Sequence, residues 1–260
     1  MSPVAIALVT GSSRGVGRGI AVSLGAAGWT VYVTGRSSAA TGPTTHLPGS
    51  IEATAAAVDE AGGVGIPWRC DHTDDASVLA LAAAISDRDH HLDLLVNNTW
   101  GGYERLNAGA WDEWNAAFFD QPLALFDSML SSGIRSHYVT TVACAHLLMA
   151  APAALIVTIS FQQTGPVGYA VAKAADDALA RTLSGRFPRG NVISVGLHPG
   201  MVKTEGVVQF ADYLDLRGAE TPEGVGRVVA ALAADADRHL YDGQVLTVEA
   251  LATRYGVSTA

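Results

Sequence analysis

A tyrosine and a lysine stand four residues apart in the second half of the chain, at Tyr169 and Lys173. Pro166 suits the first turn of a helix and the following Ala-rich run favours helix, so both side chains are expected on one helix face. A nearby ammonium ion favours the phenolate form of a tyrosine, and a positioned phenol can exchange a proton with a substrate. The alternative is an ordinary tyrosine–lysine pair on a helix surface. The residues around the pair distinguish a catalytic pair from an ordinary surface pair.

A second candidate site is the glycine-rich segment from Thr10 to Gly17, which follows an apolar run from Val4 to Val9. Gly11 permits a tight turn, Gly15 lets the backbone approach a diphosphate, and Gly17 lets the next helix pack on the sheet. The N-terminus of that helix offers free N–H groups and a positive dipole end to phosphates. A purely structural glycine turn is the alternative. The position at the first strand-to-helix turn favours dinucleotide binding.

Short β-rich runs alternate with Ala-rich segments of helical length along the chain. Continuously apolar strands separated by helices indicate a parallel sheet covered on both faces. Because no linker or repeat interrupts the pattern, we predict one doubly wound, Rossmann-type α/β domain over residues 1–260, with roughly seven strands. The predicted strands are VAIALVT, WTVYVTG, VGIPWRC, LDLLVNN, ALIVTIS, NVISVGL and GQVLTV, and the predicted helices include IEATAAAVDEA, DASVLALAAAI and YAVAKAADDALARTL.

The composition excludes several classes of protein. The 260 residues are 49% hydrophobic and 16% charged, which is typical of a globular chain and not of a disordered one. A formal net charge of −9 argues against nucleic acid or an anionic membrane as the main partner. Cys70 and Cys144 form no disulfide framework or metal motif, so we expect buried thiols and no metal. The apolar start lacks a basic segment, and Pro152 interrupts the apolar stretch 142–159, so neither a targeting segment nor a membrane span is predicted.

Several motifs, in order along the chain, resemble those of the short-chain dehydrogenase/reductase family. The spacing T-G-x-x-x-G-x-G at the first turn is similar to the family's glycine motif, and the Tyr–Lys pair matches its Y-x-x-x-K. The segments HLPGSIEATAAAV and GIRSHYVTTVACAHLLM are most similar to the dehydrogenase/reductase member 1-like branch of the family. Further matches to the family are Asp71 after the third strand, Asn97 and Asn98 after the fourth, and His198-Pro199-Gly200 with Val202 and Thr204 in the segment that closes over the nicotinamide.

The resemblance implies a nicotinamide cofactor, and the end of the second strand predicts NADP(H) in preference to NAD(H). NAD-preferring members usually carry an acid where this chain has Gly35, which Arg36 and Ser37 follow. A guanidinium can bind a 2′-phosphate, a hydroxyl can donate to it, and Arg14 is a second cation on the same side. Solvated surface arginines are the alternative. The expected cofactor-binding residues are Gly11, Ser13, Arg14, Gly15, Val16, Gly17, Arg36, Ser37, Asp71, His72, Asn98, Tyr169, Lys173, Pro199, Gly200, Val202 and Thr204.

The same resemblance implies that Tyr169 is the general acid in carbonyl reduction and the base in alcohol oxidation. Lys173 would lower the pKa of this tyrosine and bind the nicotinamide ribose. Two positions of the family's usual tetrad differ, because Phe161 stands at the place of the second serine and Gly133 at the place of the asparagine.

The hydroxyl that would polarise the substrate carbonyl is therefore in question. Ser160 is the candidate catalytic serine, but adjacent strand residues point to opposite faces, so this role requires a shift in register at the shortened loop. The alternative donors are Gln162, Gln163 and Thr164.

Two functions are compatible with these residues. The first is an NADP(H)-dependent oxidoreductase with an atypical tetrad, acting on a small apolar or aromatic carbonyl or alcohol. The second is an NADP(H)-binding protein with little or no catalysis, serving as a sensor or scaffold. The aromatic segment from Thr99 to Asp120 predicts an apolar pocket or, equally, loop or subunit packing. The helix of Tyr169 carries alanines on several sides, so we expect a homo-oligomer, located in the cytoplasm, without nucleic acid or membrane partners.

Overall fold

A seven-stranded sheet, parallel throughout, forms the centre of the computed structural model, which describes residues 4–260. The first three residues of the predicted domain lie outside the described residues. The strands are β1 (Ile6–Val9), β2 (Thr30–Gly35), β3 (Val64–Arg69), β4 (Leu94–Asn97), β5 (Ala154–Ile159), β6 (Val192–His198) and β7 (Val245–Thr247). Their order in the sheet is β3-β2-β1-β4-β5-β6-β7, and the predicted doubly wound α/β fold is confirmed.

Helices cover both faces of the sheet. They are α1 (Gly15–Ala26), α2 (Ile51–Glu60), α3 (Asp75–Arg88), α4 (Glu104–Asn107), α5 (Trp111–Asn115), α6 (Leu123–Leu130), α7 (Ser136–Ala150), α8 (Val167–Leu183), α9 (Glu205–Val208), α10 (Pro222–Ala234) and α11 (Val248–Tyr255). One core cluster joins the sheet to α1, α2, α10 and α11, and a second joins its other face to α3 and α7. This double cover explains why the inner strands are continuously apolar. Within residues 4–260, no helix combines the length and apolarity needed to cross a membrane.

The chain changes direction across the sheet between β1 and β4, which are neighbours. At their carboxyl ends the two following loops are joined, because Thr10 N donates to Val96 O at 3.0 Å and Asn98 N donates to Thr10 Oγ1 at 2.8 Å. In open α/β sheets, ligands bind in the crevice at such a switch point. The fold thus brings the glycine turn and the loop after β4 to one edge.

Two helix boundaries shape the site further. Between α6 and α7 the residues 131–135 form a π-helical turn in which Gly133 departs from helical geometry, with φ −97° and ψ −109°. This is a kink of the kind that glycine permits. Helix α8 begins at Val167, with Pro166 at the N-cap, one position before the first turn where it was predicted. Tyr169 and Lys173 both lie on the buried face of α8, as the spacing predicts.

Candidate active site

The glycine turn between β1 and α1 borders a cavity of about 270 Å³ at the carboxyl edge of the sheet. Gly11 and Gly15 have φ of +63° and +57°, in the region that favours glycine. A Cβ at Gly11 would lie 2.9 Å from Thr99 Cα, so the close approach of the two loops also requires glycine. The predicted cofactor-binding residues that line this cavity are Gly11, Ser13, Arg14, Gly15, Val16, Arg36, Ser37, Asp71, His72, Asn98 and Thr204.

The turn already holds an anion from the protein itself. The Gly15 N–H donates to Glu205 Oε2 at 2.9 Å, at the first residue of α1. A helix N-terminus attracts negative charge because its N–H groups are free and its dipole is positive there. The Glu205 carboxylate therefore occupies an N–H group of the kind that the predicted diphosphate site would use.

Two guanidinium groups line the cavity. Arg14 donates to Ser37 Oγ at 2.8 Å and to Thr45 Oγ1 at 3.1 Å, and burial lowers the pKa of this arginine. Arg36 forms an ion pair with Glu104, in which both side chains are partly exposed. The cavity therefore carries the positive charge that was predicted to bind a 2′-phosphate. The Glu104 carboxylate competes with such a phosphate for Arg36.

Two other predicted residues, Asn98 and Gly17, stabilise the glycine turn through hydrogen bonds and close packing. Asn98 Nδ2 donates to Thr10 O and Gly11 O at 2.9 and 3.0 Å, which fixes the turn against the loop after β4. Gly17 does not line the cavity, but a Cβ there would lie 2.5 Å from that amide nitrogen, so its role is close packing.

Asp71 and His72 follow β3 at the edge of the cavity. Asp71 Oδ1 accepts hydrogen bonds from Thr73 N and Thr73 Oγ1 at 3.0 and 2.7 Å. Burial raises the pKa of this carboxyl, but these hydrogen bonds together with nearby charges such as the Arg36 guanidinium outweigh it, and the net shift is downward. The His72 imidazole is buried between the hydroxyls of Thr34 and Thr140, at 2.9 and 3.2 Å. Burial lowers the pKa of His72 to about 4, so the ring is neutral and its contribution to the cavity is structural.

The segment after β6 reaches the cavity through Thr204 alone among its four predicted residues. Thr204 also caps α9 by accepting a hydrogen bond from Val207 N. Pro199, Gly200 and Val202 do not line the cavity, and Val202 pairs with Glu220 in an isolated bridge.

Tyr169 and Lys173 lie beside the cavity but do not line it. Each is 6% exposed, because the side chains of Trp100 and Tyr103 lie between the α8 pair and the cavity. Trp100 packs edge-on against Tyr169 with 5.4 Å between ring centroids, and its ring lies 4.0 Å below Lys173 Nζ. An ammonium over an indole face is a favourable cation–π contact. Burial raises the pKa of the Tyr169 phenol, and the Tyr103 phenol raises it further, so the lowering of this pKa that was expected from Lys173 does not occur.

The indole of Trp100 takes the space that Gly133 leaves. A Cβ at Gly133 would lie 2.9 Å from Trp100 Cζ3, so a larger side chain there would displace the ring. The kink at Gly133 and the aromatic cover over Lys173 are therefore parts of one arrangement.

A buried carboxylate and imidazole hold Lys173 from the other side. Lys173 Nζ donates to Asp176 Oδ2 at 3.4 Å, and Asp176 Oδ1 lies 2.8 Å from His137 Nδ1. His137 Nε2 donates to Thr99 O at 3.0 Å, which connects this group to the loop after β4. Burial lowers the pKa of Lys173 while the Asp176 carboxylate opposes that change. Burial raises the pKa of Asp176, but His137 and Lys173 outweigh it, and the net shift is downward.

These partners of Lys173 were not predicted from the sequence. The spacing of Lys173 and Asp176 on one helix is a signal for the carboxylate, since residues three apart are neighbours on a helix surface. No local pattern signals His137, which lies 39 residues from Asp176 along the chain.

This geometry matches a known class of protein. A family model described as short chain dehydrogenase matches residues 5–213. The chain is 36% identical to Dehydrogenase/reductase SDR family member 1 of Mus musculus, over 97% of this chain and 82% of that protein. The chain belongs to the short-chain dehydrogenase/reductase family.

Other members of the family agree in fold and extent. The chain is 24% identical to 7alpha-hydroxysteroid dehydrogenase of Escherichia coli (strain K12), over 93% of this chain and 91% of that protein. The crystal structure of a 3-oxoacyl-[acyl-carrier protein] reductase from Brucella melitensis in complex with NAD superposes with a TM-score of 0.78 and 26% identity, covering 95% of this chain and 96% of the other. Family membership makes the chain an NAD(P)-dependent oxidoreductase of small molecules that uses a nicotinamide cofactor.

The end of β5 carries Ser160, the candidate catalytic serine, and Phe161, which stands at the expected place of the second serine. Ser160 is buried and its hydroxyl donates to Lys173 O at 3.0 Å, so the hydroxyl stabilises the backbone of α8 and does not face Tyr169. Phe161 packs edge-on against the Tyr169 ring, with 6.5 Å between centroids. The predicted catalytic role of Ser160 therefore conflicts with the bond that its hydroxyl makes.

Proposed function

We propose that this chain is an NADP(H)-dependent oxidoreductase that transfers a hydride between the nicotinamide and a small apolar or aromatic carbonyl or alcohol. The observation that carries the proposal is the Tyr169–Lys173 pair on the buried face of α8, next to a cavity built on a phosphate-binding turn. The proposal of NADP(H) over NAD(H) rests on Arg14 and Arg36, which both line the cavity and carry positive charge.

In carbonyl reduction the Tyr169 O–H would give its proton to the substrate oxygen. A phenol whose pKa is raised keeps this proton throughout the neutral pH range, so it is present as the acid. Lys173, kept charged by Asp176, would bind the ribose hydroxyls and stabilise the phenolate that forms. When bound, the reduced nicotinamide supplies the hydride. Alcohol oxidation reverses each of these transfers.

An apolar or aromatic substrate suits the surroundings of the Tyr169 ring. Four aromatic rings pack around it, with distances of 5.4 to 6.5 Å between their centroids and that of Tyr169: those of Trp100, Trp114, Tyr103 and Phe161. Aromatic walls of this kind bind flat or branched hydrocarbon groups through buried area rather than through hydrogen bonds.

Oxidation of NADPH with a panel of aromatic and aliphatic ketones and aldehydes tests the proposal. We expect absorbance at 340 nm to fall with at least one carbonyl, and one alcohol to form for each NADPH consumed. Binding of one NADPH per chain, with no oxidation across the panel, would contradict the proposed catalysis.

A second candidate function is a nucleotide-responsive sensor or scaffold without turnover. The specific observation in its favour is the burial of Tyr169 and Lys173 under Trp100 and Tyr103. In this alternative, cofactor binding would move the aromatic cover without any chemistry. The same panel distinguishes the two, because only the enzyme consumes NADPH.

We also propose that the chain forms a homo-oligomer in the cytoplasm. Apolar side chains are exposed on α7 and α8, where Tyr138 and Val142 are each 57% exposed and Val167 and Val171 are 46% and 45% exposed. Side chains of this kind on two neighbouring helices favour burial against a second copy. The free, buried thiols of Cys70 and Cys144 suit a reducing compartment. Sedimentation equilibrium measures the oligomeric state, and a monomer at every concentration would contradict the first of these proposals.

A further inference from the structure

The hydroxyl of Tyr103 lies opposite the hydroxyl of Tyr169, and the two oxygens are 3.3 Å apart. Tyr103 comes from the loop after β4, whereas Tyr169 is on α8, so the fold and not local sequence brings them together. Their rings stack with an interplanar angle of 29° and 6.1 Å between centroids. Two phenols are thus directed at one point beside the cavity, which Tyr103 itself lines.

The position of Tyr103 is held by its neighbours. Its ring packs against Trp114 at 5.4 Å and against Trp100 at 5.9 Å between centroids. The preceding residue, Gly102, has no space for a side chain, since a Cβ there would lie 2.6 Å from Trp100 Cζ2 and 2.8 Å from Met129 Cγ. Tyr103 is 39% exposed, and the aromatic contacts and the tight backbone position its ring with the hydroxyl towards Tyr169.

The other groups considered as donors are placed elsewhere. The Ser160 hydroxyl donates to Lys173 O, as described above. Gln162, Gln163 and Thr164 are exposed to solvent in the loop before α8. Among residues 4–260, Tyr103 is the side chain whose hydrogen bond reaches the Tyr169 hydroxyl.

We propose that Tyr103 is a catalytic residue that donates a second hydrogen bond to the substrate oxygen, in place of the serine that Phe161 has replaced. This inference rests on the proposed carbonyl reduction. A single oxygen can accept from two hydroxyls that are 3.3 Å apart, because O–H···O bonds of about 2.7–2.8 Å reach it from both sides. The same oxygen can receive a proton from Tyr169 and a hydrogen bond from Tyr103.

Tyr103 transfers no proton in the proposed step. A bound reduced nicotinamide would supply the hydride, with one of its C–H bonds breaking as the new C–H bond forms on the carbonyl carbon. The C=O π electrons would move to oxygen, and the Tyr169 O–H bond would break as its proton passes to that oxygen. The substrate is reduced to the alcohol, the cofactor is oxidised, and Tyr169 is left as phenolate. Tyr103 keeps its own proton and stabilises first the growing charge on the substrate oxygen and then the phenolate.

Tyr103→Phe tests the proposal, because it removes the hydroxyl and keeps the ring that packs on Trp114 and Trp100. We expect kcat for a simple ketone to fall about 10²- to 10³-fold, as for the loss of one preorganised donor. The Kd for NADPH should change less than twofold. Tyr213→Phe is the matched control, since Tyr213 is 87% exposed, and it should leave kcat unchanged.

A rescue variant separates a missing hydroxyl from a damaged fold. Phe161→Ser returns a hydroxyl to the family's usual position. The double variant should therefore have a kcat at least about tenfold higher than Tyr103→Phe alone. In the wild-type background Phe161→Ser should raise kcat by a smaller factor, because a donor is already present. Melting temperatures of wild type, Tyr103→Phe, Phe161→Ser and the double variant show whether loss of the Phe161 ring destabilises the fold.

The outcomes distinguish this inference from the function on which it rests. An active wild type with unchanged or increased kcat in Tyr103→Phe would overturn the role of Tyr103 and leave the proposed function standing, with Tyr103 as a cover over Tyr169. A wild type that binds NADPH but reduces no carbonyl would overturn both. A loss of kcat in Tyr103→Phe without rescue by Phe161→Ser, at unchanged melting temperature, would contradict the replacement of one hydroxyl by the other.

Discussion

Arg36→Ala should weaken the binding of NADPH much more than that of NADH. Arg36 lines the cavity just after β2, and the residue before it, Gly35, carries no carboxylate that would repel a 2′-phosphate. The substitution removes a guanidinium that could make charge-assisted hydrogen bonds to this phosphate. NADH has no 2′-phosphate, so its binding should not depend on this side chain.

The size of the effect follows from the contacts of Arg36. Losing a hydrogen bond to a charged group costs about 1.5–3 kcal/mol, which corresponds to roughly 10- to 150-fold in Kd. Arg36 must first leave Glu104, but the two side chains are 34% and 41% exposed, and an exposed pair is worth about 0–1 kcal/mol. Arg14 remains beside Ser37 and keeps part of the preference. We therefore expect a loss near the lower end, about tenfold or more for NADPH.

Isothermal titration of NADPH and NADH against both proteins measures this difference. Glu104→Gln is the matched control, because it removes the competing carboxylate and should tighten NADPH without changing NADH. Equal losses for the two cofactors in Arg36→Ala would refute the assignment of Arg36 to the 2′-phosphate.

Three further predictions concern buried or competing charges. Glu205→Gln should tighten NADPH and NADH by the same factor, since its carboxylate occupies the Gly15 N–H; a change for one cofactor only would contradict this. Asp176→Asn should move the alkaline limb of the kcat/KM profile to lower pH, because burial lowers the pKa of Lys173 and the carboxylate opposes it; a lower rate with an unmoved limb would indicate a purely structural role. The folded-state pKa of His72, about 4, is below its unfolded value of 6.5, so the stability that the neutral ring provides is present above pH 6.5 and is lost as the pH falls towards 4. At about 1.4 kcal/mol per pH unit this amounts to about 3 kcal/mol, and urea unfolding of wild type and His72→Gln at pH 7 and 4.5 should show a smaller pH effect in the variant.

The sheet and the glycine-rich turn were predictable because their signals are local. Six of the seven strands lie within their predicted apolar runs, and β6 extends one residue beyond its run, to His198. Gly11 and Gly15 adopt the positive φ that the turn requires. The pairing of Tyr169 with Lys173 follows from helix periodicity alone.

The environment of that pair was not predictable in the same way. His137 meets Asp176, and Tyr103 meets Tyr169, only after α7, α8 and the loop after β4 have packed together. The orientation of Ser160 depends on how β5 leaves the sheet, since one step along a strand reverses the side of a residue. Sequence patterns report which residues form an element, whereas these contacts depend on how the elements are arranged.

Turnover by Tyr169→Phe compared with wild type tests most directly whether this chain is an enzyme that uses Tyr169 as its acid. With the carbonyl that wild type reduces best, we expect the variant to lose nearly all NADPH oxidation while its Kd for NADPH stays within a few-fold of wild type. Undiminished oxidation in Tyr169→Phe would contradict the assignment of the acid.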